Sequence, residues 1–164
     1  MQPRDNRATV RRRADYRPPA FLVDRIALEF DLEPAATEVK ATLAFRRNPA
    51  AAPEDRRAPL ALDGEQQEIV RVELGGRALS SAEAIVTSAG LTIPDAPDAG
   101  TLVVRSRTAP ERNVALEGLY VSSGVFCTQC EAEGFRRITY FPDRPDVLAT
   151  YTVTLRADRD RFPV

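Results

Sequence analysis

Histidine is absent from this 164-residue sequence, and cysteine occurs only at Cys127 and Cys130. Zinc hydrolase sites usually hold the metal on two or three imidazoles, and serine triads use an imidazole as the base. Because this chain has no imidazole, neither kind of site can be assembled from it alone. We therefore predict no catalytic residue and no metal-binding residue here, and any hydrolytic chemistry must be completed elsewhere.

Long apolar runs and an excess of charge are also missing. No stretch approaches the roughly 20 apolar residues of a membrane helix. The 23 basic and 24 acidic residues leave a net charge of -1, whereas a general nucleic-acid binder needs an excess of basic residues on some face. We therefore expect neither a membrane nor a nucleic acid as partner, and the length suits one globular domain.

The N-terminal residues 1–14 are rich in arginine and lack the apolar core of a secretory signal. We predict a disordered basic segment there, with an organelle transit peptide or an arm for an anionic partner as alternatives. Two cysteines without a signal peptide or a spacing framework indicate a reducing cytosol. The sequence therefore predicts a cytoplasmic protein whose folded domain spans residues 15–164.

Apolar and polar residues alternate along much of this domain, with glycine and proline between the alternating runs. This pattern predicts short strands at residues 25–32, 39–46, 60–62, 70–74, 91–93, 102–107 and 150–155. Residues 48–59 have no periodicity and indicate a surface loop, and the one helical possibility is a turn near residues 146–149. We expect an all-β fold, either an antiparallel β-sandwich or a saddle-like sheet of many short strands.

The apolar C-terminal end, Arg161-Phe162-Pro163-Val164, has two interpretations. It is either a short terminal strand or the point at which a larger domain is cut. In the second case, we expect an exposed apolar edge across residues 151–164 and a tendency of the chain to associate.

Cys127 and Cys130 form a C-x-x-C pair, which elsewhere holds half a zinc ribbon or a redox dithiol. A structural zinc needs four ligands, and no second pair is present. A thioredoxin-like centre needs a βαβ pattern, which is also missing. Two reduced, partly buried thiols are our interpretation. Glu117, Glu131 and Glu133 leave general acid–base chemistry open as a further alternative, because the environment of each carboxyl decides its pKa.

Four segments resemble the N-terminal domain of the aminopeptidase N family of zinc aminopeptidases. They are Thr128-Gln129-Cys130-Glu131, Arg136-Arg137, Asp143-Arg144-Pro145 and the strand Ala149-Thr150-Tyr151-Thr152-Val153-Thr154-Leu155. The usual family run is T-Q-x-E, then R-R, then D-E-P. Arg144 here replaces the acid of D-E-P and Cys130 replaces a common aromatic residue, and both departures resemble the bacterial branch.

The resemblance implies a role in substrate recognition. In the family, a loop of this domain reaches the catalytic cleft, so Glu131 would bind the free α-ammonium of a peptide and Gln129 would line the pocket for the first side chain. The zinc ligands lie in an H-E-x-x-H segment of a separate catalytic domain, and the peptide also contacts a G-x-M-E-N segment. Neither segment occurs here, so the resemblance implies a truncated domain that is inactive alone and depends on that catalytic domain as its partner.

Other residues of the motif have structural interpretations. We expect Arg136, Arg137 and Asp143 to hold the loop through ion pairs or backbone hydrogen bonds. The aromatic residues of this region are predicted to pack in the core or between domains; they are Tyr120, Phe126, Phe135, Tyr140 and Phe141. The alternative to the whole peptidase interpretation is a non-catalytic β-sandwich that serves as a binding or interaction module.

Overall fold

The computed structural model of the chain describes residues 12–162. Eleven strands account for most of the regular structure: β1 (Phe21–Asp31), β2 (Thr37–Arg47), β3 (Leu60–Asp63), β4 (Glu68–Leu74), β5 (Arg77–Ala78), β6 (Ile85–Thr87), β7 (Gly90–Ile93), β8 (Ala99–Thr108), β9 (Gly118–Ser122), β10 (Val125–Gln129) and β11 (Thr150–Arg156). Single 3₁₀ turns form at Arg13–Asp15, Pro53–Arg57, Pro110–Arg112 and Phe135–Arg137. The all-β prediction is confirmed.

One local prediction is wrong. No helical turn forms at residues 146–149; the chain makes a tight turn in which the Val147 N–H donates to the Arg144 carbonyl at 3.2 Å. The Arg144 side chain donates to both carboxylate oxygens of Asp146, which favours this closed turn over a helix. Of the predicted disordered segment, residues 1–11 lie outside the described residues.

The strands form three sheets. A six-stranded sheet has the order β11-β1-β2-β8-β4-β5, a three-stranded sheet has the order β3-β7-β6, and β9 and β10 form a separate hairpin. Neighbouring strands are antiparallel except for β1 and β11, which run parallel from Arg25↔Thr150 to Asp31↔Arg156. The expectation of antiparallel pairing therefore holds for all pairs among the described residues except this one.

Two apolar clusters lie on the same face of the six-stranded sheet, since β2 supplies alternate residues to both. The sealed cluster lies between β2, β8 and β4 and the three-stranded sheet, and it includes Leu60, Leu62, Leu91, Leu102 and Val104. The open cluster lies between β1, β2, the β9–β10 hairpin and the segment that follows, and it includes Ile26, Leu28, Leu43, Leu119 and Ile138. Tyr140 joins the sealed cluster and Phe141 joins the open one, as the prediction of core packing for both requires.

Within residues 12–162, no helix has the length and apolar character needed to cross a membrane.

Candidate functional site

The β9–β10 hairpin carries Thr128 and Gln129 and leads directly into the loop that contains Cys130 and Glu131. Its two-residue connection, Ser123-Gly124, has positive φ at both positions, +51° and +80°, as a type I′ turn requires. The strands pair from Val125↔Ser122 to Gln129↔Gly118. This pairing places Gln129 at the end of a regular ladder, so the residues after it start from a defined position.

Residues 130–134 form a tight loop directly after β10. The Gly134 N–H donates to the Cys130 carbonyl at 2.8 Å, and the Gln129 side-chain amide donates to the Glu131 carbonyl at 3.2 Å. A Cβ atom at Gly134 would lie 2.6 Å from the Gln129 carbonyl oxygen, so only glycine permits this close approach. The Glu131–Ala132 peptide bond is cis.

Arg136 clamps the loop to the rest of the domain. Its Nε lies 2.9 Å from Asp143 Oδ2, and its Nη2 donates to the Asp143 carbonyl at 3.2 Å. The Asp143 N–H in turn donates to Asp63 Oδ2 at 2.9 Å, at the end of β3. These contacts connect the loop to the three-stranded sheet and give Arg136 and Asp143 the structural role that we predicted.

Arg137 forms a second, more buried anchor. Only 6% of its side chain is exposed, and its guanidinium donates to Gln66 Oε1 at 2.7 Å. Glu65 lies 3.3 Å from the same group and Glu117 lies 3.2 Å from its Nε. A buried guanidinium is retained only with such partners, because an unpaired charge is costly to desolvate. Arg137 therefore fixes the segment just before β9 as well as the loop.

The three acids of this region have different surroundings. Glu117 is paired with Arg137, and Glu133 lies 3.6 Å from Arg136 Nη2. Glu131 is exposed, and its carboxylate forms no ion pair or hydrogen bond with any of residues 12–162. Because two of the acids are neutralised by arginines, the arrangement does not favour the acid–base alternative. It leaves Glu131 available to bind a cation from outside the domain.

Arg144, which departs from the D-E-P run of the resemblance, has its own local partners. Its guanidinium forms two hydrogen bonds with Asp146, at 2.9 and 2.8 Å, and donates to the Arg17 carbonyl at 2.8 Å. The Tyr16 hydroxyl also donates to Asp146, at 3.0 Å. The Arg144 hydrogen bond, followed by that from Tyr16, lowers the pKa of Asp146. Arg144 and Asp146 therefore tie Tyr16 and Arg17 to the segment that carries Asp143.

The two cysteines are free thiols on different sides of the chain. Cys127 is half-buried in β10, as predicted. Cys130 is exposed, so the prediction of partial burial is wrong for this residue. Cys130 nevertheless lines an apolar groove, and desolvation, followed by the charge of Asp143, raises the pKa of its thiol. No group of three or more possible metal ligands occurs among residues 12–162.

This apolar groove, of about 420 Å³, lies on the open side of the open cluster. It is lined by Phe126 and Phe135 together with Tyr151, Val153 and Leu155 of β11. Phe135 packs edge-on against Tyr151 with ring centroids 5.8 Å apart. The groove contains Thr128 and Cys130 of the motif but not Gln129 or Glu131, so the motif has one side toward the groove and another toward solvent.

Sequence reasoning did not predict strands β9 and β10. It also did not predict that the partners of Arg136 and Arg137 would lie on β3 and on the segment that follows β3. The Asp63-Gly64 turn signal located the end of β3. Nothing in the sequence indicated that Asp63, Glu65 and Gln66 would lie beside a motif about 70 residues away.

A family model and curated relatives both relate this chain to the N-terminal part of aminopeptidase N. Residues 109–164 match the model of the peptidase M1 N-terminal domain. Aminopeptidase N of Caulobacter vibrioides is 49% identical over 150 residues, which are 92% of this chain and 17% of that protein. The chain thus spans less than a fifth of the length of this relative.

Solved structures of related peptidases contain a domain with a similar fold. The crystal structure of Legionella pneumophila aminopeptidase A in complex with aspartic acid has a TM-score of 0.84 at 34% identity, covering 92% of this chain and 18% of that one. An M1 zinc metallopeptidase from Deinococcus radiodurans has a TM-score of 0.67 at 18% identity, covering 86% and 33% of the two chains, and shares the fold.

Proposed function

We propose, from the premise that this chain is an N-terminal domain of the aminopeptidase N family, that it anchors the free N-terminus of a peptide for a zinc-dependent aminopeptidase. Glu131 binds the α-ammonium group, and Gln129 lines the site for the first side chain. These residues contribute recognition, and the bond cleavage takes place in a separate catalytic domain.

The unpaired carboxylate of Glu131 is the observation that carries this proposal. An exopeptidase must distinguish a free N-terminus from an internal peptide, and an ammonium group is the feature that only the terminus has. A carboxylate already neutralised by an arginine would bind it poorly. Among Glu117, Glu131 and Glu133, only Glu131 combines exposure with the absence of an ion-pair partner within residues 12–162.

The support of the loop adds to this argument. Binding is stronger when the binding group is held in place beforehand, because less conformational entropy is lost. The amide of Gln129 bonds to the backbone of Glu131, and Arg136 and Arg137 hold the following turn against two separate parts of the domain. Glu131 therefore lies on a short loop with fixed ends.

Zinc is the cofactor that we propose for the longer enzyme. The chain itself does not fit the metal: the sequence contains no histidine, and residues 12–162 hold no cluster of three possible ligands. The metal would therefore be bound by a catalytic domain, which is also the partner that we propose for this domain. We place the enzyme in the cytosol, which the two free cysteines support.

A chimaera tests the role of Glu131. The matching 150 residues of the Caulobacter vibrioides aminopeptidase N are replaced by this chain, and kcat/KM is measured with an alanyl anilide. A hydrogen bond to a charged group contributes about 1.5–3 kcal/mol, so Glu131→Gln should lower kcat/KM by at least about tenfold.

Glu133→Gln is the matched control. It removes the same charge only two residues from Glu131, but the carboxylate of Glu133 faces Arg136. We expect a change of less than about threefold, since exposed ion pairs contribute little. Equal activities of the Glu131→Gln and parent chimaeras would contradict the anchoring role. A correctly folded but inactive parent chimaera would favour the alternative of a non-catalytic interaction module.

A further inference from the structure

The backbone carbonyl of Arg136 is a second point at which the 130–134 loop is attached to the domain. Arg136 lies in the 3₁₀ turn Phe135–Arg137, which follows the loop directly. The last carbonyl groups of a helical turn have no partner within the turn and need donors from elsewhere. Two donors meet this carbonyl: the Glu65 N–H at 2.9 Å and the Gln67 side-chain amide at 2.8 Å. The end of the loop is therefore fixed through its main chain as well as through the Arg136 guanidinium.

The Gln67 side chain also connects this carbonyl to a central strand of the six-stranded sheet. Its Oε1 accepts a hydrogen bond of 2.8 Å from the Ser106 hydroxyl. Ser106 belongs to β8, which pairs with β2 on one side and β4 on the other, and only 1% of Ser106 is exposed. Because the Arg136 carbonyl can only accept, the amide nitrogen of Gln67 faces it and the amide oxygen is left for Ser106. One side chain thus links the end of the loop to a buried strand.

The backbone on both sides of this contact has an unusual conformation. Four residues other than glycine have a positive φ in the described part of the chain, and two of them are Gln66 at +57° and Glu133 at +68°. Such a conformation persists only where the surroundings determine it. The Arg137 guanidinium donates to Gln66 Oε1, and Glu133 lies 3.6 Å from Arg136 Nη2. The contacts between the two segments therefore offset the cost of both conformations.

We propose that Gln67 is a positioning residue for the Glu131 carboxylate and acts through the Arg136 carbonyl. This inference rests on the proposed function of Glu131 and names a residue outside the loop on which that function depends. Glu131 lies between two fixed points, the β10 ladder that ends at Gln129 and the turn that begins at Phe135. Loss of the Gln67 amide removes one of two donors from the second point. The loop then samples more conformations, and ordering it on binding costs more entropy.

Gln67 bears on the peptide only through the loop. Both polar atoms of its amide are already used, one by the Arg136 carbonyl and the other by the Ser106 hydroxyl, and the residue is half-buried.

Asn48 offers a matched control for the loss of such an amide. Its Nδ2 donates to the Pro19 carbonyl at 2.8 Å, and its Oδ1 accepts from the Ala50 N–H at 3.0 Å. Asn48 follows β2 directly and is 7% exposed. Neither of its partners belongs to the loop or to the anchors of the loop.

Amide hydrogen exchange of the 164-residue chain tests the effect on the loop without any substrate. Gln67→Met keeps the length of the side chain and removes both hydrogen bonds. The Gly134 N–H, which donates to the Cys130 carbonyl, should then exchange about threefold to tenfold faster relative to the Val104 N–H of the sealed cluster. Asn48→Leu should change this ratio less than about twofold.

Inhibition of the chimaera with the Caulobacter vibrioides enzyme tests the effect on binding. The ratio of the inhibition constants of propanamide and alaninamide isolates the contribution of the amino group. Gln67→Met should lower this ratio about threefold to tenfold, and Asn48→Leu less than about twofold. Ser106→Ala keeps Gln67 but removes its donor, and it should lower the ratio at least about twofold even if Gln67→Met does not fold. In a Glu131→Gln background, Gln67→Met should no longer change the ratio.

The outcomes separate the positioning role from the proposed function. If Glu131→Gln leaves the ratio unchanged, the function proposed for Glu131 fails. If Glu131→Gln lowers the ratio but Gln67→Met and Ser106→Ala do not, only the positioning role of Gln67 is overturned. An equal reduction by Asn48→Leu, or an effect of Gln67→Met that persists in the Glu131→Gln background, would also overturn that role.

Discussion

The sealed and open clusters lie on one face of the same sheet, yet only one of them is completely covered. In the sealed cluster, β3 and β7 cover β8, and Leu102 and Val104 are entirely buried. In the open cluster, the β9–β10 hairpin covers β1 and β2 but leaves the side chains of β11 exposed. The arginine-clamped loop and the exposed side chains of β11 both belong to the open side. The buried core that stabilises the domain and the residues that we propose for recognition therefore lie in different parts of the fold.

The largest expected effect contrasts the same substitution in the two regions. Leu102→Ala in the sealed cluster should lower the free energy of unfolding by about 2–5 kcal/mol, because it leaves a cavity in a closed core. Leu155→Ala on β11 should change it by no more than about 0.5 kcal/mol, since the residue is 63% exposed. Urea unfolding at a concentration that keeps the chain monomeric measures both values. Similar losses would remove the distinction between the clusters.

An intermediate effect is expected at the anchor of the open side. Arg137→Met keeps much of the side-chain volume but removes the donor to Gln66 and the partner of Glu65 and Glu117. It should cost about 1–3 kcal/mol in the free energy of unfolding, because part-buried acceptors lose a charged donor. Arg71→Met is the control, since Arg71 is largely exposed and should cost less than about 0.5 kcal/mol. An equal loss of unfolding free energy in Arg137→Met and Arg71→Met would mean that burial of Arg137 adds nothing to its contribution to stability.

The smallest effect concerns the attachment of β11 itself. Hydrogen bonds from Arg156 and then Lys40 lower the pKa of Glu29 from 4.5 to about 2. A carboxyl whose pKa is lowered in the folded state stabilises the fold above its ordinary pKa, and this contribution is lost as the pH falls from about 4.5 to about 2. Urea midpoints of the parent and Glu29→Gln should therefore differ at pH 7 and converge toward pH 2. A difference that does not change with pH would contradict the proposed ion pairs.

The long strands could be predicted from sequence because their periodicity reports burial directly. Alternation identified Ile26, Leu28 and Phe30 of β1, and all three are buried. The strand begins earlier than predicted, at Phe21, because a bulge between Val23 and Arg25 shifts the alternation. A similar irregularity in β4, between Ile69 and Arg71, leaves Val70 half exposed although it belongs to an apolar run. Single extra residues of this kind depend on the partner strand and leave no local signal.

The candidate site could be predicted only in part, because its long-range contacts also leave no local signal in the sequence. The resemblance singled out Gln129 and Glu131, whose roles stay predictions, and the ion pairs expected of Arg136 and Arg137 are present in the structure. Their partners on β3 and the following segment are long-range contacts, which no short pattern encodes. The sequence offered an exposed apolar edge at residues 151–164 only as one of two interpretations, because alternation of Tyr151, Val153 and Leu155 with threonines indicates a strand but not whether another layer covers it.

The carboxylate of Glu131 is proposed to bind the α-ammonium of a peptide. The most direct test compares inhibition of the chimaera by alaninamide and by propanamide, which differ only in the amino group. We predict that the amino group improves the inhibition constant at least about tenfold in the parent, and that Glu131→Gln reduces this advantage at least about tenfold while Glu133→Gln preserves it. An advantage that is unchanged in Glu131→Gln would contradict binding of the ammonium group by Glu131.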